Sequence, residues 1–316
     1  MKLSIVTINY NNIDGLRKTL ASVASQTYHD IEHIIIDGGS TDGAVDVIRE
    51  YEENLHLTHS TIHIQWISEK DKGIYNAMNH GLEVALGRRG VNEDHTSNIT
   101  QNTSPESLCD YIQILNSGDI LAAPDVTERM IAVLDSLNAK RSSLNDKGIP
   151  ILYGNMLKSY DGKTIINRDT CGSDMYTPNS FLYFYKGTLN HDCAYIRRDL
   201  FTQYGLYNEQ MKICSDWEWY VRAIVLGGEK PIYTNIDVTI FDMNGVSESD
   251  GKNAELIKKE RRDYLESILP SSILRDYNNY AFPIFQYQRL KKYHLWGLTH
   301  FMERVLFKLE KWRILR

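Results

Sequence analysis

The sequence predicts an α/β fold in which a mostly parallel central sheet is flanked by helices. The first 120 residues alternate strand-like apolar runs with segments whose apolar residues recur every three or four positions. This is the pattern of parallel strands joined by crossover helices. Three of the apolar runs end abruptly in polar or acidic residues. Because ligands of open α/β sheets bind outside the carboxyl ends of the strands, a ligand cleft is expected at this edge.

The individual elements follow from the same periodicities. Strands are predicted at 3–11, 31–36, 62–67 and 111–115, and a helix follows each of the first three strands. Asn12 and Asp14 are candidate capping residues of the first helix. The polar stretch at 88–110 lacks aromatic residues and predicts a flexible surface insertion. Further along, we predict a helix at 124–137, a strand at 151–153, a hairpin turn at 160–163 and a charged helix at 253–268.

The composition is that of a globular protein and disfavours several classes of function. Hydrophobic residues make up 42% of the 316 residues, and the formal net charge of −6 disfavours a nucleic-acid partner. The four cysteines show no CxxC spacing, so reduced thiols in a cytoplasmic protein are favoured over a zinc site. Strand-like sequence begins at Leu3, which predicts no signal peptide. No stretch approaches the ~20 apolar residues of a membrane-spanning helix.

Five segments together carry a resemblance to a known family. They are, in order, SIVTINYNN (4–12), IIIDGGSTDG (34–43), SEKDKGIYNAMNHG (68–81), ILNSGD (114–119) and CSDWEWYVRA (214–223). In this order and spacing they make residues 1–245 resemble glycosyltransferase family 2, the inverting nucleotide-sugar transferases of GT-A fold. The sequence is most similar to the bacterial members that build surface polysaccharides.

The resemblance implies an enzyme that moves a sugar from a nucleotide donor, expected to carry UDP, to a hydroxyl of a glycan acceptor. It implies a Rossmann-like, nucleotide-sugar-binding half at 1–120, which contains the 88–110 insertion, and an acceptor-binding, catalytic half at 121–250. Residues 251–316 are expected to form a C-terminal helical extension. The expected acceptor is a lipid-linked oligosaccharide at the inner face of a bacterial membrane.

The resemblance assigns the nucleotide-sugar to four positions. Asp37 matches an acid that accepts a hydrogen bond from the uracil N–H, and Thr7 lies where the family also touches the base. Asp71 lies in a loop that is expected to close over the nucleoside. Asn116 stands where the family often has the first acid of an Asp-Ser-Asp-Asp run. For Asp37, a structural role as a turn acid that caps the next helix is the alternative.

The same run implies a divalent cation, Mn²⁺ or Mg²⁺. Asp119 is the acid retained from the run, because Asn116 and Gly118 replace two others. A leaving diphosphate gains charge as the glycosidic bond breaks, and a cation held by one or two carboxylates and by phosphate oxygens stabilises it. The resemblance also places His191 beside the phosphates or the metal, although a single histidine is more often structural.

The resemblance makes Asp216 the catalytic base. An inverting displacement needs a base that takes the proton of the acceptor hydroxyl as the hydroxyl attacks the anomeric carbon. Glu218 points elsewhere if this segment is helical, and it becomes a candidate base only if the segment begins extended. Trp217 and Trp219 either line the acceptor pocket or pack in the core. Arg222 is expected to pair with an acid.

The last 28 residues differ from the rest of the chain in charge. From Arg289 onward, eight basic and two acidic residues give a net charge of +6. Apolar residues recur every three or four positions in this tail, at Leu295, Leu298, Met302, Val305, Leu309 and Trp312. A basic helix with such a face is typical of a membrane interface, so peripheral membrane contact is predicted. Packing of the same face on the catalytic domain or on a second subunit is the alternative.

Two other classes of function are alternatives to this interpretation. A Rossmann oxidoreductase would show GxGxxG after the first strand, whereas this chain has Asn9-Tyr10-Asn11-Asn12 there. A non-catalytic nucleotide-sugar or polysaccharide-binding relative would keep the cleft without turnover. The reduced acidic run at 116–119 keeps this second alternative open.

Overall fold

The computed structural model describes residues 1–58, 60–92, 94–99, 108–141, 147–170, 180–243 and 253–311. Its strands are β1 (Leu3–Asn9), β2 (Ile31–Asp37), β3 (His63–Ser68), β4 (Arg89–Val91), β5 (Ser97–Ile99), β6 (Tyr111–Ile114), β7 (Ile120–Leu121), β8 (Ile151–Ser159), β9 (Asn167–Asp169), β10 (Ala194–Arg197) and β11 (Ile232–Asp242). Its α-helices are α1 (Ile13–Ala24), α2 (Ala44–Leu57), α3 (Ile74–Ala85), α4 (Val126–Ala139), α5 (Phe181–Lys186), α6 (Asp199–Gln203), α7 (Ser215–Tyr220), α8 (Ala254–Ile268), α9 (Ser271–Lys292) and α10 (Trp296–Lys311).

Nine strands of the described ranges form one sheet, in the order β3-β2-β1-β6-β10-β8-β11-β7, with β9 beside β8. The neighbours β3, β2, β1 and β6 run parallel, as the strand–helix alternation predicts. β10 then pairs antiparallel with both β6 and β8, and β11 runs parallel to β8. The sheet is therefore parallel on its N-terminal side and mixed beyond β6.

The N-terminal strands form the core because their side chains are buried on both faces. β1 and β2 are buried along their whole length, which is why their sequences are rich in Ile, Val and Leu. Asn12 caps α1 by accepting a hydrogen bond from the Gly15 N–H, as predicted. α3 lies so close to β1 that a Cβ at Gly81 would stand 2.3 Å from Val6 Cγ1.

Strand register brings the polar strand ends together. Asn9 of β1 pairs with Asp37 of β2, and Asp37 pairs in turn with Ser68 of β3. Asn116 follows β6 on the other side of β1. Since the carboxyl ends of parallel strands share one edge, the polar residues that follow these strands in the sequence lie together at this edge.

The 88–110 segment, for which the sequence predicts a flexible surface insertion, contains two short strands. β4 and β5 form an antiparallel hairpin, and the His95 ring stacks on Trp66 with 3.6 Å between the ring centroids. Polar composition did not exclude this hairpin, because backbone groups supply its hydrogen bonds. Residues 93 and 100–107 of the segment lie outside the described residues.

The C-terminal region contains the expected helices. α9 packs on α5 through the rings of Tyr277 and Phe181, whose centroids are 4.5 Å apart. Within the described ranges, no helix is long and apolar enough to cross a membrane. Trp312, the last member of the predicted apolar face, lies outside the described residues.

Candidate functional site

A cleft of about 570 Å³ opens at the carboxyl-terminal edge of β1 and β6. Its walls come from the loop after β1, the start of α3, the turn at 116–119 and the end of β11. The polar residues that line it include Asn9, Asp71, Asn116, Asp119, Lys212 and Asp242. The cleft therefore lies at the sheet edge where the sequence predicted a ligand.

Asp37 lies beneath this edge and is fully buried. Its carboxylate accepts hydrogen bonds from Asn9 Nδ2 at 2.9 Å and from the Ser68 hydroxyl at 2.8 Å. Ser40 donates twice more, from its N–H at 2.9 Å and from its hydroxyl at 2.5 Å. A carboxylate has about four acceptor positions, so Asp37 is saturated and holds the ends of β1, β2 and β3 together.

Thr7 is likewise fully buried, and its hydroxyl lies 3.0 Å from Nε2 of His33 inside the sheet. Neither Thr7 nor Asp37 lines the cleft. The nucleotide contacts assigned to Thr7 and Asp37 stay predictions. A nucleotide base would reach Asp37 only by replacing one of the hydrogen-bond donors that contact its carboxylate.

Asp71 does lie in the cleft wall, where its Oδ1 accepts a hydrogen bond from the Gly73 N–H at 2.8 Å. The loop after β2 approaches it closely, since a Cβ at Gly38 would stand 2.5 Å from Asp71 Oδ2. Tyr10 lines the same wall and is 65% exposed. An acid and an exposed aromatic ring thus face the space beside β1.

Asp119 combines deep burial with a place in the cleft wall. Its Oδ1 accepts a hydrogen bond from the Asp242 N–H at 3.0 Å. Burial, together with the negative charge of Asp192, raises the pKa of Asp119 well above its ordinary value. A bound cation would oppose both effects, the burial and the charge of Asp192, because it stabilises the ionised Asp119 carboxylate.

A divalent cation in this cleft would have few protein ligands. The described residues contain no group of three or more His, Cys, Asp or Glu that would hold a metal ion. Mg²⁺ sites commonly use one or two carboxylates and take their other ligands from phosphate and water. Asp119 meets this lower requirement, and Asn116, whose Oδ1 is buried without a hydrogen-bond partner, lies beside it in the cleft wall.

A chain of hydrogen bonds leads from the cleft wall to Asp216. Asn116 Nδ2 lies 3.1 Å from His191 Nε2, and His191 Nδ1 lies 3.3 Å from Asp216 Oδ2. The Tyr75 hydroxyl lies 3.1 Å from Asp216 Oδ1. His191 and Asp216 do not line the cleft directly, although their side chains keep 18% and 16% exposure.

His191 and Asp216 shift each other's pKa in opposite directions. Burial alone would lower the pKa of His191, but its hydrogen bond to Asp216 and the charges of Asp216, Asp192 and Asp119 raise it. Burial alone would raise the pKa of Asp216, but the hydrogen bond and charge of His191 lower it. Asp216 is therefore an ionised carboxylate near neutral pH, the state that a general base requires.

The remaining residues around Asp216 have structural roles. α7 begins at Ser215, so Glu218 lies within a helix, where it is buried and pairs with Arg222 Nε at 2.7 Å. The extended conformation that would make Glu218 a base is absent from this described segment, and the expected acid partner of Arg222 is found. Trp217 and Trp219 are buried in the core and donate to the carbonyls of Phe184 and Gly205.

Sequence reasoning missed three residues of the cleft wall. Asp242 follows the apolar residues of β11 just as Asp119 follows those of β6, so the same signal was present. Tyr10 lies in the segment SIVTINYNN, but no contact was assigned to it, and Lys212 belongs to no recognisable motif of charge or spacing. Their place in the cleft depends on how distant segments pack.

Known proteins resemble this chain in sequence and in fold. Residues 4–92 match the profile of "Glycosyl transferase family 2". An uncharacterized glycosyltransferase of Mycobacterium tuberculosis is 27% identical over 246 residues, which cover 77% of this chain and 76% of that protein.

Two solved structures share the architecture. S. aureus TarS 1–349 in complex with UDP-GlcNAc matches with a TM-score of 0.56 and 13% identity, over 92% of this chain and 73% of that chain. The match covers 41% of a longer TarS chain. Mannosyltransferase PcManGT from Pyrobaculum calidifontis, in complex with GDP-Man and Mn²⁺, gives a TM-score of 0.52 and 15% identity, over 82% and 60% of the two chains. The expected GT-A fold is confirmed.

Proposed function

The chain is a glycosyltransferase with a family 2 domain at residues 4–92, and on that premise we propose that it transfers a sugar from a UDP-sugar to a glycan hydroxyl with inversion. The observation that supports the proposal is the cleft at the sheet edge. Asp119 and Asn116 line this cleft, and hydrogen bonds connect Asn116 through His191 to Asp216. In this division, residues 1–120 bind the donor and 121–250 bind the acceptor.

The donor would lie along the β1 side of the cleft. Tyr10 offers an exposed ring on which a base can stack, and Asp71 and Asn116 supply polar groups for the nucleoside. Asp37 and Thr7 would act from beneath by shaping the strand ends, and Asp37 would contact uracil only after exchanging a donor. The structural neighbour TarS was solved with UDP-GlcNAc, which supports a UDP donor.

Asp119 would hold a Mn²⁺ or Mg²⁺ ion against the diphosphate, with His191 behind it. The ion, when bound, supplies positive charge that stabilises the departing nucleoside diphosphate. The raised pKa of Asp119 supports this role, since a buried carboxylate among other acids favours a cation. The structural neighbour PcManGT was solved with Mn²⁺.

Asp216 would serve as the base in a single displacement. The acceptor oxygen forms its bond to the anomeric carbon as the bond from that carbon to the phosphate oxygen breaks. The hydroxyl proton passes to the Asp216 carboxylate, which His191 keeps ionised beforehand. No covalent intermediate is needed, because each bond changes once and the configuration inverts.

The C-terminal extension, 251–316, would hold the enzyme peripherally at the cytoplasmic face of the membrane, where a lipid-linked acceptor lies. α10 keeps Leu298, Phe301, Met302 and Val305 exposed, so this face is not covered by the catalytic domain. Basic side chains on another side of α10 complement anionic lipid headgroups. The proposed occupant of this face is therefore an anionic membrane surface.

The proposal is tested with a panel of nucleotide sugars. We expect a UDP-sugar with Mn²⁺ to raise the thermal transition and to be transferred or slowly hydrolysed. A donor that binds without any turnover would instead favour the non-catalytic nucleotide-sugar-binding alternative. Binding of no nucleotide sugar by the folded chain would contradict both.

A further inference from the structure

The segment 207–214 precedes α7, the helix that carries Asp216, and it is hydrogen-bonded to two other helices, α3 and α8. At its start, Asn79 exchanges two hydrogen bonds of 2.9 Å with the backbone of Tyr207, and it also donates to Glu209 at 2.9 Å. These bonds attach the segment to α3. Its last three residues before α7, at 212–214, are held by a different element.

Glu260 of α8 binds that second part of the segment. Its Oε1 accepts the Lys212 N–H at 2.7 Å, and its Oε2 accepts the N–H groups of Ile213 and Cys214 at 3.1 and 3.0 Å. One carboxylate thus satisfies three consecutive backbone donors. Hydrogen bonds to an ionised acceptor are roughly twice as strong as neutral ones, so the segment is fixed firmly.

The hydrogen bond from Ile213 to Glu260 is connected to Asp216 through the Tyr75 hydroxyl. The Ile213 carbonyl accepts the Tyr75 hydroxyl proton at 2.5 Å, while its N–H is bound to Glu260. The same Tyr75 oxygen lies 3.1 Å from Asp216 Oδ1. A hydroxyl has only one proton, so the position of the Ile213 carbonyl determines whether Tyr75 donates to it or to Asp216.

α8 is fastened to α7 by further contacts next to Glu260. The Arg261 guanidinium lies 5.1 Å from the centre of the Trp217 ring, and the Tyr264 ring meets the same indole edge-on at 5.8 Å. These contacts keep α8 in place relative to the helix that carries Asp216. Lys212, whose backbone Glu260 holds, lines the cleft itself.

We propose that Glu260 is a positioning residue of the transfer reaction: it fixes residues 212–214 and thereby sets Asp216, Tyr75 and Lys212 in their working arrangement. This inference rests on the proposed role of Asp216 as the base. It gives the C-terminal extension a direct part in turnover, in addition to any membrane contact.

The test compares Glu260→Ala and Glu260→Gln with the wild type in the full-length chain. Glu266→Ala is the matched control, since Glu266 is exposed on the same helix. We expect Glu260→Ala to lower kcat by up to about 100-fold, the scale of a misplaced catalytic group, with a smaller change in donor KM. Glu260→Gln retains one carbonyl oxygen and should recover part of the loss.

Amide hydrogen exchange of a peptide covering 208–216 gives a readout that does not depend on activity. Exchange should rise in Glu260→Ala, rise less in Glu260→Gln and stay unchanged in Glu266→Ala. Faster exchange with wild-type kcat, or unchanged exchange, would overturn the inference. A wild type without turnover would overturn the proposed function instead, and the exchange data would still decide whether Glu260 fixes the segment.

Discussion

Three carboxylates near the cleft differ in chemistry because their surroundings differ. Asp37 is saturated by four donors and serves the fold. Asp119 is buried beside other acids, which raises its pKa, whereas His191 lowers the pKa of Asp216. Environments that push the pKa values of neighbouring acids apart separate their roles. Here the separation agrees with the proposed roles of Asp119 as a cation ligand and Asp216 as a base.

We expect Asp216→Asn to reduce turnover by roughly 10²–10⁴-fold, the usual contribution of a general base, and to leave donor affinity nearly intact. Turnover is measured by product formation and donor affinity by calorimetry. Asp276→Asn, at an exposed position of α9, is the control. A defect confined to donor binding would move Asp216 from catalysis to the donor site.

For Asp119 we expect Asp119→Asn to remove the stabilisation by Mn²⁺ of the UDP-bound protein and to abolish transfer. Asn keeps an acceptor for the Asp242 N–H, so the local fold is retained. Asp125→Ala, at an exposed acid near the start of α4, is the control. Full wild-type activity in excess chelator would rule out metal dependence.

At the scale of elements, the C-terminal helices divide into two kinds. α8 and α9 pack on α7 and α5 through Trp217 and Phe181. α10 instead leaves a largely exposed apolar face, with Leu298 and Met302 at 60% and 55% exposure. An exposed apolar stripe beside basic residues marks an interaction surface.

We therefore expect a chain ending at Tyr293 to lose binding to anionic vesicles by at least about tenfold, since each basic residue near the surface is worth about 1 kcal/mol. Flotation measures binding, and neutral vesicles are the comparison. The paired change Arg304→Glu and Lys308→Glu should weaken binding in the full chain. Dimerisation that disappears with α10, without vesicle binding, would identify a second copy as the partner.

At the scale of the molecule, His33 makes stability depend on pH. It is completely buried between Thr7 and Tyr51, with 3.0 Å from its ring nitrogens to each hydroxyl oxygen. Burial lowers its pKa to about 3. Since the unfolded chain takes up the proton near pH 6.5 and the folded chain does not, the contribution of His33 is complete above pH 6.5 and is lost as pH falls.

The expected loss is about 2 kcal/mol in the free energy of unfolding between pH 6.5 and pH 5, at about 1.4 kcal/mol per pH unit. In His33→Gln this part of the pH dependence should vanish, because glutamine does not titrate. Denaturant unfolding of both proteins at pH 7 and pH 5 gives the comparison. Equal losses on acidification would show that other groups account for the pH dependence.

The sequence by itself determined the α/β class, the parallel strands β1, β2, β3 and β6, and the edge that bears the cleft. These features follow from local periodicity and from polar residues at strand ends, which a single segment displays. The same local signal placed Asp119, which lies immediately after an apolar run. The hairpin within 88–110 was not predicted, because its strands have only three residues each.

Only the tertiary structure decided which polar side chains face the cleft. The side chains of Asp37 and Thr7 form hydrogen bonds inside the fold. By contrast, the Asp242 N–H donates to Asp119, although the two residues are 123 positions apart in the sequence. Glu260 reaches residues 212–214 from a helix near the end of the chain. Local sequence patterns do not predict such hydrogen-bond partners, because side-chain direction and long-range hydrogen bonding depend on how the elements pack together.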